Sequence, residues 1–259
     1  MGPISPMGHM HRFYISPENW NQGTIVLIGA EAHHARDVLR IRPGEKLVLF
    51  NGRGREMTAE VVDLSGNKIG LRKLHEAETP PLRCRIVLGQ AIPKGKNMEL
   101  IVQKAVEIGA AEIAPIISDR TIVQVDSETA AQKQLKWQQI AIEAAKQCGQ
   151  NWLPRVHAPR KLAELFSVAA EESFDLQLIG SLQPGAQHLK KILADYSSRH
   201  QHRPRSVLML IGPEGDFTPA ELALARGHGC QPITLGPIIL RVETAAIYCL
   251  SVLSYELLV

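Results

Sequence analysis

The hydrophobic periodicity of this chain changes character once, at "ETPPLR" (residues 78–83), and that change constrains the fold more than any other feature. Before it, "RFYIS", "TIVLIG", "EKLVLFN", "REMTAEVVDL" and "KIGLRKL" are short apolar or alternating runs. Turn signals such as Asn51-Gly52 and Ser65-Gly66-Asn67 part them. Runs of this kind predict strands, and so many in one short stretch predict a small β-barrel. One helical insert, "AEAHHARDVLRI", separates the second run from the third. After Pro80-Pro81, buried runs ("CRIVLGQAI", "EIAPIIS", "DLQLIGS", "SVLMLIG") alternate with helical patterns. That alternation predicts an α/β domain with a mostly parallel sheet and helices on its faces. The chain therefore divides into a β-rich module at 10–77 and an α/β domain at 78–259. Residues 1–9, "MGPISPMGH", show neither periodicity nor an apolar core and are expected to be a tag or linker.

Within the second domain, "NMELIVQKAVEIG" sets Met98, Ile101, Val102 and Ala105 on one helical face, with Gly109 as C-cap. "KQLKWQQIAIEAAKQCG" repeats Trp137, Ile140, Ala141, Ala144, Ala145 and Cys148 at helical spacing. The C-terminal run "TAAIYCLSVLSYELLV" is interrupted by Ser251, Ser254 and Glu256 and is short for a membrane span, so a buried helix is expected and no membrane partner. Four cysteines stand far apart with no C-x-x-C pair, which argues against a zinc site or disulfide framework and for a reduced, cytoplasmic setting. His33-His34 has no visible third ligand, so packing or local hydrogen bonding is expected there and no metal. The net charge of +3 is compatible with nucleic acid. Residues 11–75 hold ten Arg/Lys against seven Asp/Glu, and so carry that whole excess.

"VLMLIGPEGDFTPAELALARGHG" is the stretch that points to chemistry. An apolar strand stops at Gly212, the loop "GPEGDF" follows, and Thr218-Pro219-Ala220-Glu221 then supplies an N-cap, a proline at N1 and a capping-box Glu at N3. Strand, glycine loop and helix is the layout by which an α/β sheet binds a ligand beyond its strand ends. A merely tight turn fits G-P-E-G equally. G-x-G-x-x-G is absent, which argues against a Rossmann nucleotide site. "GQAIPKGKN" (89–97) departs from a P-loop in spacing and has Asn97 where Ser or Thr would hold magnesium. A second loop, "TLGPIIL", follows one helix and one strand later. The two loops can converge on one pocket where backbone groups read an adenine edge and apolar side chains cover its faces.

The pair "LIGPEGDFTPAE" and "LGPIILRVETA" resembles the SPOUT methyltransferases. More narrowly it is similar to the RsmE family, which methylates N3 of a uridine in 16S ribosomal RNA. "HHARDVLRIRPGE", "QKAVEIGAAEIAPIISDRTIV" and "KWQQIAIEAAKQCGQNWLP" extend the resemblance over nearly the whole chain. It implies an N-terminal PUA-like barrel for RNA and a C-terminal SPOUT α/β domain with a trefoil knot. It also implies S-adenosylmethionine as donor, and a homodimer with its active site at the interface.

On that basis Ile211, Gly212, Pro213, Glu214, Gly215, Leu235, Gly236, Ile239, Leu240, Thr244 and Ala245 are expected to bind the cofactor. Arg241 suits a phosphate or a uracil oxygen, while Glu214 and Glu243 are the carboxylates that fit a general base. Glu243 and Thr244 fit the capping and dipole chemistry of a helix N-terminus as well. Arg36, Arg40, Arg42, Arg53, Arg55 and Arg155 are expected to grip rRNA backbone, a pattern that a solvated basic surface shares. The family usually carries arginine where this chain has Ile238 and Gln150, and glycine where it has Asp216. Those departures leave room for a weakened RNA-binding factor, or for an enzyme acting on transfer RNA.

Overall fold

A computed structural model describes residues 10–20, 25–121, 126–169 and 173–258. The expected tag or linker at 1–9 lies outside them. The chain forms two compact units, one made of the described residues of Met1–Pro81 with Ala145–Leu153, the other of those of Leu82–Ala144 with Pro154–Val259.

The first unit holds β1 (Arg12–Tyr14), α1 (Pro17–Trp20), β2 (Ile25–Leu27), α2 (Gly29–His33), β3 (Lys46–Phe50), β4 (Arg55–Asp63) and β5 (Ile69–Glu78), with a wider π-type turn at His34–Val38 after α2. The five expected strands all form, in the order β1-β3-β4-β5-β2, and the insert between the second and third is helical. Only β1 and β3 run parallel. Register shifts at Thr58/Ala59 and Val61/Asp63 bend the long β4–β5 ribbon, the local device that curls a sheet around its own core. Phe13, Trp20, Leu27, Leu47, Leu49, Met57, Val61 and Ile69 fill that core.

The second unit contains β6 (Arg85–Ala91), α3 (Asn97–Ile108), β7 (Glu112–Ile117), α4 (Ser127–Cys148), β8 (Arg155–Val156), β9 (Arg160–Lys161), α5 (Leu162–Ala169) and β10 (Leu176–Gly180). It continues with β11 (Gln187–His188), α6 (Leu189–His200), β12 (Ser206–Ile211), α7 (Pro219–Gly227), β13 (Gln231–Thr234) and α8 (Val242–Leu257); the end of α4 belongs to the first unit. The sheet order is β11-β13-β10-β12-β6-β7-β8, β9 also pairs with β7, and every pairing is parallel. β6 and β12 are buried along almost their whole length, as strands covered on both faces must be. Val87, Leu208 and Leu210 meet Leu165 and Phe166 of α5 and Leu222 and Ala225 of α7 in one core cluster. Residues of opposite parity, Ile86, Leu88 and Met209, are buried too, and α8 packs on α3 and across β6 and β12.

The helical faces follow the sequence pattern. α3 buries Met98, Ile101, Val102 and Ala105, and Gly109 closes it in the left-handed region at φ 95°. α4 buries Trp137, Ala141, Ala144 and Ala145, while Cys148, expected on the same stripe, is exposed. α8 is buried along one stripe, Val242, Ala245, Ala246, Cys249, Leu250, Leu253 and Leu257, and leaves Tyr248 and Tyr255 exposed. Among the described residues, no helix is long and apolar enough to cross a membrane.

Candidate active site

All strands of the second sheet are parallel, so the loops after β10, β12 and β13 leave the same edge, and these three strands are neighbours. The three loops enclose one hollow of about 430 Å³. Gly180–Leu182 line it after β10, Ile211–Glu214 and Asp216 after β12, and Thr234–Gly236 with Ile238–Glu243 after β13. Asn97 and Ala245 complete the wall. Ligands of α/β sheets bind beyond the carboxyl ends of the strands, and this hollow lies there.

The loop after β12 is shaped by its own hydrogen bonds. The Asp216 N–H donates to Pro213 O at 2.9 Å, closing a turn. Asp216 sits at φ 61°, the backbone region where glycine is preferred and where the resemblance led us to expect one. Aspartate tolerates it here because its Oδ1 accepts the Phe217 N–H at 2.7 Å. The helix that follows starts on the predicted capping box. Thr218 Oγ1 accepts the Glu221 N–H, and Glu221 Oε2 accepts the Thr218 N–H at 2.8 Å. Glu221 is buried and reaches further. Its Oε1 accepts the Asp119 N–H at 3.0 Å, and its Oε2 accepts the Ser118 hydroxyl at 3.2 Å. Arg120 donates to the Gly215 carbonyl. The turn after β7 is thus fastened to the loop after β12.

The loop after β13 is held more sparsely. The Gly236 N–H donates to Thr234 Oγ1 at 3.3 Å, and Gly236 lies at φ 114°, where side chains are strained. Ile238 and Ile239 are 73% and 75% exposed, and Leu182 beside them is 64% exposed. Arg241 is the N-cap of α8 without a side-chain cap hydrogen bond. Glu243 stands in the first turn, where a carboxylate complements the helix dipole, and its Oε2 accepts the Asn97 amide at 3.3 Å. Glu214 Oε1 accepts the Lys94 N–H at 2.9 Å.

Nine of the eleven cofactor candidates line the hollow: Ile211, Gly212, Pro213, Glu214, Leu235, Gly236, Ile239, Leu240 and Ala245. Gly215 lines an adjoining hollow with Arg120 and Phe217, and Thr244 lies on the exposed side of the first α8 turn. Arg241, Glu243 and Glu214 all line the same hollow. The sequence reading did not find Gly180, Ser181, Leu182 or Asn97. "LIGSLQPG" carries the same signal as the other two loops, an apolar strand running into a glycine and a turn.

Of the arginines expected on RNA, five lie in the first unit and Arg155 lies in the second, on β8. Arg36 is bound to the Asp37 carboxylate and to Gly66 O, and Arg55 to the Glu76 carboxylate, whereas Arg40, Arg42, Arg53 and Arg155 are exposed. The half-buried Gln150 accepts the Trp152 N–H at 3.1 Å through its side-chain oxygen. His33 pairs with Asp37, and His34 meets Phe13 edge-on.

The RNA methyltransferase domain family matches residues 80–254, and the RNA methyltransferase PUA domain family matches residues 27–74. The ribosomal RNA small subunit methyltransferase E of Bacillus subtilis (strain 168) is 30% identical over 236 residues, which cover 90% of each chain. A solved ribosomal RNA small subunit methyltransferase E from Neisseria gonorrhoeae, bound to S-adenosyl methionine, is 32% identical with a TM-score of 0.82, over 96% of this chain and 98% of that one. A methyltransferase from Legionella pneumophila, solved with the bound cofactor SAM, is 34% identical with a TM-score of 0.84, again over 96% and 98%. A curled β unit followed in the chain by a parallel sheet with three loops around one hollow, matched over nine-tenths of the chain by these relatives, places the chain in the RsmE family of RNA methyltransferases.

Proposed function

We propose that this chain transfers the methyl group of S-adenosylmethionine to N3 of a uridine in 16S rRNA of the small ribosomal subunit, in the cytoplasm. The hollow closed by the loops after β10, β12 and β13 carries the proposal, since its size and mixed apolar and backbone lining suit a nucleoside ligand. Leu235, Ile239 and Leu240 cover the adenine faces, and the backbone at Gly212 and Gly236 reads its edge. When bound, S-adenosylmethionine supplies a methyl group on a sulfonium centre. Arg241 binds a uracil oxygen through its guanidinium and stabilises the negative charge that develops there as the N3 proton leaves. Glu214 and Glu243 each keep one carboxylate oxygen outside the hydrogen bonds described above, and either can take that proton.

Residues 10–77 are the RNA-gripping module and residues 78–259 the catalytic domain. Arg40, Arg42, Arg53 and Arg155 contact backbone phosphates, and Arg36 and Arg55 contribute less because carboxylates already occupy them. A second copy covers the exposed tyrosines of α8 and the apolar rim at Ile238 and Ile239, giving a homodimer. The trefoil knot belongs to the same proposal. β12 inserts between two strands made earlier in the chain, and α8 returns across β6 and β12, as a threaded C-terminus requires.

Mass spectrometry of 16S rRNA from a strain lacking the gene tests the substrate. N3-methyluridine is expected to disappear and to return with a plasmid copy; its persistence in the deletion strain would overturn the proposal. Calorimetry with S-adenosylmethionine tests the hollow separately.

A further inference from the structure

The loop after β6, Ile92–Lys96, lacks the spacing of a phosphate-binding P-loop, yet it and Asn97 at the start of α3 are held at the rim of the cofactor hollow. Three contacts hold it. The Ile92 N–H donates to Ile116 O at 2.9 Å, the Lys94 N–H to Glu214 Oε1 at 2.9 Å, and the Asn97 side-chain amide to Glu243 Oε2 at 3.3 Å. Glu214, Glu243 and Asn97 all line the hollow. Both carboxylates that suit a base therefore also pin this loop in place, and the loop exposes Lys94, Gly95 and Lys96.

Charge explains why that position matters. The wall of the hollow carries Glu214, Asp216 and Glu243 against Arg241, a surplus of negative charge that an approaching polyanion meets within a Debye length. Ile238 and Ile239 at the rim bring no compensating cation. Two lysines on a loop tied to two of those carboxylates offset the surplus. They can reach phosphate oxygens as mobile point charges on long stems.

We infer that Lys94 and Lys96 form a phosphate-contacting rim that positions the substrate RNA strand across the mouth of the cofactor hollow. This rests on the proposed methylation of rRNA and adds two residues that draw the strand to the site. They are positioning residues, remote from the proton and methyl transfer.

The test uses the full chain and small ribosomal subunits from the deletion strain, with paired Lys94→Ala/Lys96→Ala and Lys94→Arg/Lys96→Arg variants. For the alanine pair, KM for the subunits is expected to rise on the order of tenfold, while kcat and calorimetric affinity for S-adenosylmethionine stay within about twofold. Two lost phosphate contacts on a single strand should also flatten the plot of log affinity against log salt by about 1.4. The arginine pair, which keeps the charge, should restore both. Unchanged KM and salt slope in the alanine pair would overturn the inference. So would weakened S-adenosylmethionine binding at constant RNA affinity, which assigns the lysines to the cofactor. A wild-type chain that leaves the subunits unmethylated defeats the functional proposal instead, and filter binding of wild type against the alanine pair then still decides whether the lysines hold RNA.

Discussion

The two glycine-proline loops that face each other across the hollow are built in opposite ways. Gly212–Phe217 is fastened by the Pro213–Asp216 turn, the Asp216 carboxylate, the Lys94 and Arg120 contacts, and a helix start locked by Glu221. Leu235–Leu240 has one side-chain turn at Thr234, a glycine in a strained backbone region and two isoleucines in solvent. The first loop takes its shape from contacts within the chain. The second offers apolar surface and a charged end, Arg241, and gains burial only when something covers it. Preorganised polar backbone suits recognition of an edge, and exposed apolar side chains suit closure over a face.

Variants in the two loops should therefore fail differently. Arg241→Ala is expected to have the largest effect, a loss of at least about a hundredfold in kcat with S-adenosylmethionine affinity within about twofold, because it removes charge stabilisation and leaves the hollow intact. Single-turnover assays beside calorimetry check this; unchanged turnover would remove Arg241 from the chemistry and break the contrast. Glu221→Ala removes the return half of the α7 capping box, leaves the Thr218 Oγ1 cap on the backbone N–H in place, and strands the Ser118, Asp119 and Thr218 donors, at about 2–3 kcal/mol of stability in urea denaturation. Cofactor affinity should fall with it, since the first loop loses its fastening. Gly236→Ala finds open space but a φ of 114°. Strain of about 1–2 kcal/mol should appear as roughly tenfold weaker S-adenosylmethionine binding. Asp216→Gly should change least, within about 0.5 kcal/mol, because relief of the left-handed backbone offsets the lost bond to the Phe217 N–H. Asp216→Ala loses the bond without the relief and should be the worse of the two by thermal denaturation.

Much of this contrast is legible in the chain. Thr218-Pro219-Ala220-Glu221 announces its capping box, because every partner lies within four residues. The burial of β6 and β12 shows in their unbroken apolar runs, and the face of α3 shows in its spacing. The reach of Glu221 to Ser118 and Asp119 does not show, because a hundred residues of chain separate the partners and either would satisfy ordinary local rules alone. The same holds for residues 145–153. Read as the end of a helix and a loop, they join the first unit through bonds from Gly54 N–H to Asn151 O, from Leu153 N–H to Gly52 O, and from Trp152 Nε1 to Thr79 O. Gln150, standing where the resemblance led us to expect arginine, makes a local bond to the Trp152 N–H.

The sequence by itself determined the main strands and helices, the change from a small β-rich module to an α/β domain with a mostly parallel sheet, and the two glycine loops that end strands, because short-range periodicity and turn chemistry encode them. Tertiary structure decided that β10, β12 and β13 become neighbours, so that a third loop at Gly180–Leu182 enters the hollow. It also decided that Glu214 and Glu243 hold the loop bearing Lys94 and Lys96. Those outcomes depend on which strands pair across long separations, and no local pattern of residues carries that information.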